Sequence, residues 1–226
     1  MKDLSTSILL VFLLGLPFNT AAYQVSPMFQ LFEVAGTKSQ GSYEVDNTDA
    51  SDVILEAVVY RVGFNKDGTE NLIRSDEEFL VLPPQSKIKA GESQRFRVRY
   101  LGNVMLPQTQ TFRLVFEQIQ TSDNPGEDSG TVEILVDFST VIFVSPLKCD
   151  AKVLPKMVSG QLELSNPSNC VYDLNQSRFE FSGSGSSTIS WMELQVPTAG
   201  YLLPKSTQKV QLPEDYDKYS EVIIVN

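Results

Sequence analysis

The chain has 226 residues, a formal net charge of −10 and no histidine. The missing imidazoles exclude histidine-based catalytic triads and histidine-ligated metal sites, and the acidic balance argues against nucleic-acid binding, which needs a basic face. We therefore expect no nucleic-acid partner, no metal and no cofactor.

The first 22 residues have the pattern of a secretory signal peptide. One lysine precedes an apolar core at residues 8–16, and small residues lead to a predicted cleavage before Tyr23. The core is about half of the roughly 20 residues that span a bilayer, which disfavours a membrane anchor. We expect export, with no membrane insertion after cleavage of residues 1–22.

Strand signals dominate the following segment. Turn-forming clusters separate short apolar or β-branched runs, and no helical periodicity of useful length intervenes. The runs occupy residues 29–34, 41–45, 53–62, 79–82, 94–100, 112–119 and 131–144. About seven strands at this spacing predict a β-sandwich, which we place at residues 23–146.

A second set of strand signals follows a proline-flanked linker at residues 146–155. The runs lie at residues 161–164, 171–174, 177–181, 188–196, 206–212 and 221–225, and the Gly-Ser stretch at 181–187 indicates a hairpin loop. They predict a smaller β-sandwich at residues 147–226. The predicted fold class is thus all-β, with two sandwich domains.

The two cysteines are Cys149 and Cys170. In an exported chain a disulfide is favoured over a structural zinc site, because two thiolates do not complete a four-ligand shell. A bond between them closes a loop of about 20 residues, which contributes about 3 kcal/mol in the chain-entropy model.

The stretch TVEILVDFSTVIFVSP, residues 131–146, changes its periodicity halfway along. An apolar row of Val132, Ile134, Val136 and Phe138 alternates with other residues, and an almost unbroken apolar run follows at 141–144. Alternation is typical of a strand with one covered face, whereas an unbroken run indicates cover on both faces. The first half therefore offers an apolar row to another surface. The alternative is an ordinary sandwich edge that covers its own sheet.

Candidates for catalysis are weak. The sequence SGSG at residues 182–185 lacks the lysine and helix of a phosphate-binding loop. Glu77 and Glu78 are adjacent, so on a strand they point to opposite faces and cannot flank a glycosidic bond. The acidic loop at 121–130 lacks the spacing of an EF-hand. We do not expect an enzyme.

Three stretches in order carry a family resemblance: FLVLPPQSKIKAGESQRFRVRYLG (79–102), TFRLVFEQIQ (111–120) and, after an acidic loop, VEILVDFSTVIFVSP (132–146). Together they resemble the periplasmic chaperones of the chaperone–usher pilus pathway. GQLELSNPSN (160–169) and YLLPKSTQKV (201–210) are more loosely similar to second-domain elements of that family.

The resemblance implies two immunoglobulin-like sandwiches set in an L, and a non-enzymatic periplasmic chaperone. Its partners would be pilin subunits and an outer-membrane usher. Val132, Ile134, Val136 and Phe138, which we term the donor row, would be lent to a pilin whose own sheet lacks a strand. Strand addition of this kind combines main-chain hydrogen bonds with alternate side chains in pockets.

The sequence departs from the family pattern in the interdomain cleft. The family anchors the carboxylate of the pilin with an arginine on the first strand and a lysine on the last. These positions fall at or near Leu31 and Val141, and neither residue is basic. Anchoring by the usual pair is therefore not carried over, and Lys148 or Lys152 near the linker offers an alternative charge.

Pro83 and Pro84 end the run at 79–82, and proline interrupts strand pairing because it lacks a backbone donor. By resemblance this pair is a candidate usher contact, and the alternative is that it merely ends a strand. A second function class also stays open: a secreted two-domain sandwich acting as an adhesin or surface structural protein, because fold does not dictate function.

Overall fold

The structure, a computed structural model, describes residues 23–65, 69–119, 135–196 and 200–225. Within this part the chain forms 18 strands and five short 3-10 helices, and no α-helix. The expected signal peptide, residues 1–22, lies outside the described residues.

Ten strands build the first sandwich, with 3-10 helices at Thr37–Ser39 and Asp76–Glu78. The strands are β1 (Tyr23–Ser26), β2 (Phe29–Glu33), β3 (Gln40–Asn47), β4 (Val53–Phe64), β5 (Glu70–Arg74), β6 (Phe79–Leu82), β7 (Gln85–Ile88), β8 (Ser93–Tyr100), β9 (Gln110–Gln118) and β10 (Phe138–Ser145).

These strands form two sheets. Sheet I has the order β1-β3-β8-β6, and sheet II has the order β2-β10-β9-β4-β5, with β7 also paired to β4. Strand alternation fills the space between them: on β8, Phe96, Val98 and Tyr100 are buried, whereas Arg97 and Arg99 are exposed. The core therefore lies between the two sheets, as in a β-sandwich.

The chain crosses from sheet I to sheet II at two prolines. Strand β1 pairs with β3, and after the cis Ser26–Pro27 bond the chain continues as β2 beside β10. Strand β6 pairs with β8, and after the cis Leu82–Pro83 bond β7 pairs with β4. Because proline donates no ladder hydrogen bond, β1 and β6 both end at the residue before a proline.

Eight further strands build the second unit, with 3-10 helices at Leu174–Gln176, Met192–Leu194 and Glu214–Tyr216. The strands are β11 (Leu154–Val158), β12 (Gln161–Ser165), β13 (Tyr172–Asp173), β14 (Arg178–Gly183), β15 (Gly185–Ser190), β16 (Tyr201–Leu202), β17 (Thr207–Gln211) and β18 (Tyr219–Val225). They pair as β11-β12-β17, β13-β16 and β15-β14-β18.

The two units have separate cores. One core runs from Tyr23 to Val144, and the other from Leu162 to Val222 with Trp191 among its members. The prediction of an all-β chain with two sandwiches is confirmed. The exact boundary at Pro146 stays a prediction.

Short or fully exposed strands were not predicted from the sequence pattern. All five residues of β5 are exposed, and β1, β7, β11 and β16 are short. The run predicted at 188–196 ends as a strand at Ser190, and a 3-10 helix follows. The predicted Gly-Ser loop is a tight hairpin, in which Gly183 (φ 148°) and Gly185 (φ 122°) adopt angles that side chains disfavour.

Candidate functional site

The last strand of the first sandwich carries one row of side chains into its own core. Ile142, Val144 and Thr140 of β10 are fully buried, and the first two belong to the core between sheets I and II. Phe138, on the same face, packs against that core, with its ring centroid 4.6 Å from that of Tyr23. Two-residue periodicity places Val136 next in this row.

The row becomes exposed where it leaves the sandwich. Val136 is 37% exposed, and its neighbour Leu135, in the opposite phase, is 43% exposed. Val132 and Ile134, the other members of the donor row, lie outside the described residues. Within the described part, Phe138 is thus held by its own domain while Val136 is half open to solvent.

One edge of β10 is unpaired over its first residues. Strand β9 pairs with β10 from Phe138 onward, but β2 pairs with it only from Val141, opposite Phe29. Among the described residues, no strand pairs with residues 138–140 on the β2 side. An open edge beside a half-exposed apolar row is the arrangement that accepts an added strand.

Side chains hold the segment just before β10 in place of ladder hydrogen bonds. The Tyr23 hydroxyl lies 2.6 Å from the Val136 carbonyl oxygen and 2.9 Å from that of Phe116, so its single proton is shared between them. The backbone amide of Val136 donates to Gln118 Oε1 (3.1 Å), and the backbone amide of Gln118 donates to Asp137 Oδ1 (3.0 Å). Burial is the main cause that raises the pKa of Tyr23. These contacts therefore fix residues 136 and 137 beside β9 and Tyr23.

The opposite face of β10 contacts the second domain. Val141 and Phe143 cluster with Val171, and the Phe143 ring centroid lies 4.5 Å from that of Tyr201. Burial raises the pKa of Tyr201, because ionisation is costly in this apolar contact. The unbroken apolar run at 141–144 is thus covered on both faces, as predicted.

The two positions where the family places its cleft cations are uncharged in the structure. Leu31 is 46% exposed on β2, beside an interdomain groove of about 350 Å³ that Ser145 and Val171 also line. Val141 is buried in the apolar cluster between the domains. Lys152 forms an exposed ion pair with Asp150 (3.4 Å). Anchoring by Lys148 or Lys152 stays a prediction.

Sequence reasoning missed a cation next to this apolar cluster. Arg113 on β9 lies directly opposite Val141 in the β9–β10 ladder. Glu70 holds the guanidinium with contacts of 2.7 Å from Nη2 and 3.2 Å from Nε. Alternation in TFRLVFEQ puts Arg113 on the outer face, but only the strand register puts it beside Val141.

Pro83 and Pro84 lie at the crossing between β6 and β7. The Pro84 carbonyl oxygen accepts a hydrogen bond from the Ala57 amide (2.8 Å), and the Pro84 side chain is exposed. The pair therefore ends strand β6, as the alternative interpretation expects, and also presents a rigid surface. Its contact with an usher stays a prediction.

The disulfide lies at the junction of the two domains. Cys149 and Cys170 are bonded with a Cα–Cα distance of 5.7 Å, as the sequence predicts. Among the described residues no group of histidine, cysteine or acidic side chains is arranged to hold a metal. No helix in that same part of the chain is long and apolar enough to cross a membrane.

Solved structures of pilus chaperones share this fold. The E. coli chaperone DraB matches with a TM-score of 0.56 and 17% identity over 91% of this chain and 96% of its own. The class 5 fimbriae chaperone CfaA gives 0.55 and 11% over 90% and 98%. A chain from the Salmonella enterica complex of SafA pilin and SafB chaperone gives 0.56 and 12% over 92% and 98%.

A search of curated proteins found no match to this sequence. The family model described as pili and flagellar-assembly chaperone, PapD N-terminal domain, matches residues 30–150, which is more than half of the chain. This is a family of chaperones and not of enzymes. The protein therefore belongs to the pili and flagellar-assembly chaperone family.

Proposed function

We propose that this chaperone binds pilin subunits in the periplasm by lending them the donor row, and that it delivers them to an outer-membrane usher. The observation that carries the proposal is the passage of one side-chain row from a packed core, at Ile142 and Phe138, to a half-exposed position at Val136 beside an open strand edge. Support for the partner class comes from a relative that is a SafB chaperone complexed with SafA pilin.

The physical reason is that a donated strand supplies the hydrogen bonds and apolar side chains that an incomplete sheet lacks. A sheet that lacks a strand exposes both unpaired backbone groups and an apolar groove, and such edges aggregate. A donated strand satisfies the backbone groups, while its alternate side chains fill the groove. Val132, Ile134 and Val136 would lie in the subunit, with Phe138 at the boundary because its ring already packs on Tyr23.

A matched pair of neighbours tests this proposal. Val136 and Leu135 have similar exposure but opposite phase on the strand. Val136→Asp places a carboxylate in the apolar groove of the subunit, which costs several kcal/mol or more of binding free energy. Leu135→Asp leaves that groove unchanged. We expect co-purification of a co-expressed pilin to be lost with Val136→Asp and kept with Leu135→Asp.

A second pair extends the test to the outer end of the row. Ile134→Asp is expected to abolish pilin binding, whereas Glu133→Lys has a much smaller effect. Circular dichroism and thermal unfolding establish that each variant is folded. If folded Val136→Asp and Ile134→Asp variants bind pilin as well as the wild type does, the donor-row proposal is wrong. The alternative function, a secreted adhesin or surface structural protein, would then be favoured.

The usher contact is tested separately. Replacing Pro83 and Pro84 together by alanine removes the rigid exposed surface at the crossing. We expect pilin capture to be kept and recruitment of the chaperone–pilin complex to the usher to be weakened. Unchanged recruitment would mean that the prolines only direct the chain between sheets I and II.

The periplasmic location depends on the signal peptide. Amino-terminal sequencing of protein from the periplasmic fraction is expected to begin at Tyr23. Recovery of uncleaved protein from the membrane fraction would contradict this part of the proposal.

A further inference from the structure

The outer face of sheet I carries a basic and apolar surface that lies away from β10. We call Arg97, Arg99, Leu80 and Leu82 the arginine–leucine face. The antiparallel register of β6 and β8 sets Leu80 opposite Arg99 and Leu82 opposite Arg97. Because side chains alternate along each strand, all four project from the same side of sheet I.

The strand on the other side of β8 adds no negative charge at this level. Strand β3 sets Gln40 opposite Arg99 and Ser42 opposite Arg97. One step further along, Glu44 faces Arg95 and pairs with it at 3.5 Å. Arg95 therefore has an acidic cross-strand neighbour on β3, whereas the next two arginines have uncharged ones.

The described ion pairs of the first domain leave these two arginines unpaired. Most of its described lysines and arginines pair with a carboxylate within 4 Å. These are Lys38, Arg61, Arg74, Lys87, Arg95 and Arg113. Among the described residues of that domain, only Lys89, Arg97 and Arg99 form no ion pair. Two adjacent uncompensated guanidinium groups in a chain of net charge −10 create a local positive field.

The apolar half of the face is equally uncovered. Leu80 is 43% exposed and Leu82 is 50% exposed. With the arginines they line an open groove of about 500 Å³, which Thr37 and Gly41 also line. Exposed apolar patches mark interaction sites, and arginine is enriched among the residues that contribute most to binding at protein interfaces.

We propose that the arginine–leucine face binds an extended acidic segment of a partner protein. Carboxylates of the segment would pair with Arg97 and Arg99, and its apolar side chains would pack on Leu80 and Leu82. Arginines two positions apart on a strand have side chains about 7 Å apart. That spacing equals the distance between alternate residues of an extended peptide, so acidic residues at every second position fit the face.

The shape and charge of the molecule favour a peptide as the occupant. The groove is concave, whereas a membrane surface is met by a convex or flat face. An anionic bilayer or a nucleic acid would also face the overall charge of −10, while a short peptide experiences mainly the local field, within about 10 Å at moderate salt. The proposal does not rest on the donor-row function.

Two synthetic peptides test it by fluorescence anisotropy with the full chain. The probe is fluorescein-labelled Gly-Glu-Leu-Glu-Leu-Glu-Gly, and the control peptide has glutamine in place of each glutamate. We expect saturable binding of the acidic peptide that weakens with added salt, and no comparable binding of the glutamine peptide.

Variants locate the site. Arg97→Glu is expected to weaken binding of the acidic peptide by about tenfold or more, because it replaces a charge-assisted contact with repulsion. Lys89→Glu makes the same charge change at another exposed, unpaired cation, and its effect is expected to stay within about twofold. Leu82→Ser keeps the charge and is expected to weaken binding as well. Val136→Asp, which changes a residue outside this face, is expected to bind the peptide as the wild type does.

Four outcomes would overturn the proposal. The first is equal binding of the acidic and glutamine peptides, and the second is equal weakening by Arg97→Glu and Lys89→Glu. The third is Arg97-dependent binding of phosphatidylglycerol vesicles without binding of the peptide, which would assign the face to a membrane. The fourth is Arg97-dependent self-association in sedimentation, which would assign it to a second copy of this chain.

Discussion

The backbone amide of Val171, in the second domain, donates a 3.0 Å hydrogen bond to the hydroxyl oxygen of Thr109, in the first domain. The Thr109 amide in turn donates to the Asn169 carbonyl oxygen (2.9 Å), and the Thr109 hydroxyl lies 2.8 Å from that of Ser145. Thr109 is buried. This polar joint therefore fixes the start of β9 to the loop that carries Cys170.

Thr109→Val is expected to loosen the joint between the domains. The substitution keeps the side-chain shape but leaves the buried Val171 amide without its acceptor, which costs about 1–3 kcal/mol. Hydrogen exchange is expected to accelerate at Val171, and urea unfolding is expected to start at a lower concentration. Thr111→Val, two residues further along and within β9, serves as the control. Equal exchange in the two variants would contradict the role of the joint.

The disulfide reinforces the same junction, because Cys170 lies between Asn169 and Val171. Reduction is expected to lower the free energy of unfolding by about 3 kcal/mol in the chain-entropy model, given the 21-residue separation of the cysteines. The measurement is urea unfolding with and without a phosphine reductant, and a Cys149→Ser/Cys170→Ser variant should match the reduced protein. Mass spectrometry of unreduced peptides should link the two cysteines, and free thiols in periplasmic material would refute the bond.

Two buried tyrosines are expected to respond oppositely to loss of the hydroxyl. Tyr43 is fully buried, and its hydroxyl has no hydrogen-bond partner among the described residues. The Thr140 side chain lies close to this hydroxyl and donates its own proton to the Leu114 carbonyl oxygen (3.0 Å). Tyr43→Phe should therefore leave stability unchanged or raise it by about 1 kcal/mol.

Tyr23→Phe removes a hydroxyl that the structure uses, at the Val136 and Phe116 carbonyl oxygens. We expect a loss of about 1 kcal/mol in urea unfolding and faster hydrogen exchange at Val136. Because the two variants delete the same atom, the difference between them isolates the hydrogen bonds. A destabilising Tyr43→Phe together with a neutral Tyr23→Phe would contradict the assignment.

Stability is expected to fall at alkaline pH. Burial raises the pKa of Tyr43 above its ordinary value of 10. A raised pKa means that folding favours the protonated form, so this contribution is complete below about pH 10 and is lost as the pH rises above it. Urea unfolding at about pH 8 and about pH 11 measures the loss, which Tyr43→Phe should reduce. An identical alkaline loss in Tyr43→Phe would show that other groups cause it.

Much of the fold follows from local pattern. In RFRVRY the alternation assigns Phe96 and Val98 to a core and Arg97 and Arg99 to solvent, and the structure agrees. The exposed strand β5 has no such alternation, so its pairing with β4 was not predictable. Pairing of this kind depends on backbone hydrogen bonds to a neighbour already in place, and these leave no trace in side-chain periodicity.

The sequence by itself determined the all-β class, the two-domain organisation, the disulfide and the change of periodicity along residues 131–144, because each depends on the order of residue types. Only the tertiary structure decided which apolar residues meet which surface. It assigned Ile142 to the first core and Val141 to the contact with the second domain, and it set Arg113 beside Val141. Among the residues that the structure describes, it left Arg97 and Arg99 without an acidic partner. These relationships depend on strand register and domain packing, which join residues far apart in the chain through contacts that no local pattern encodes.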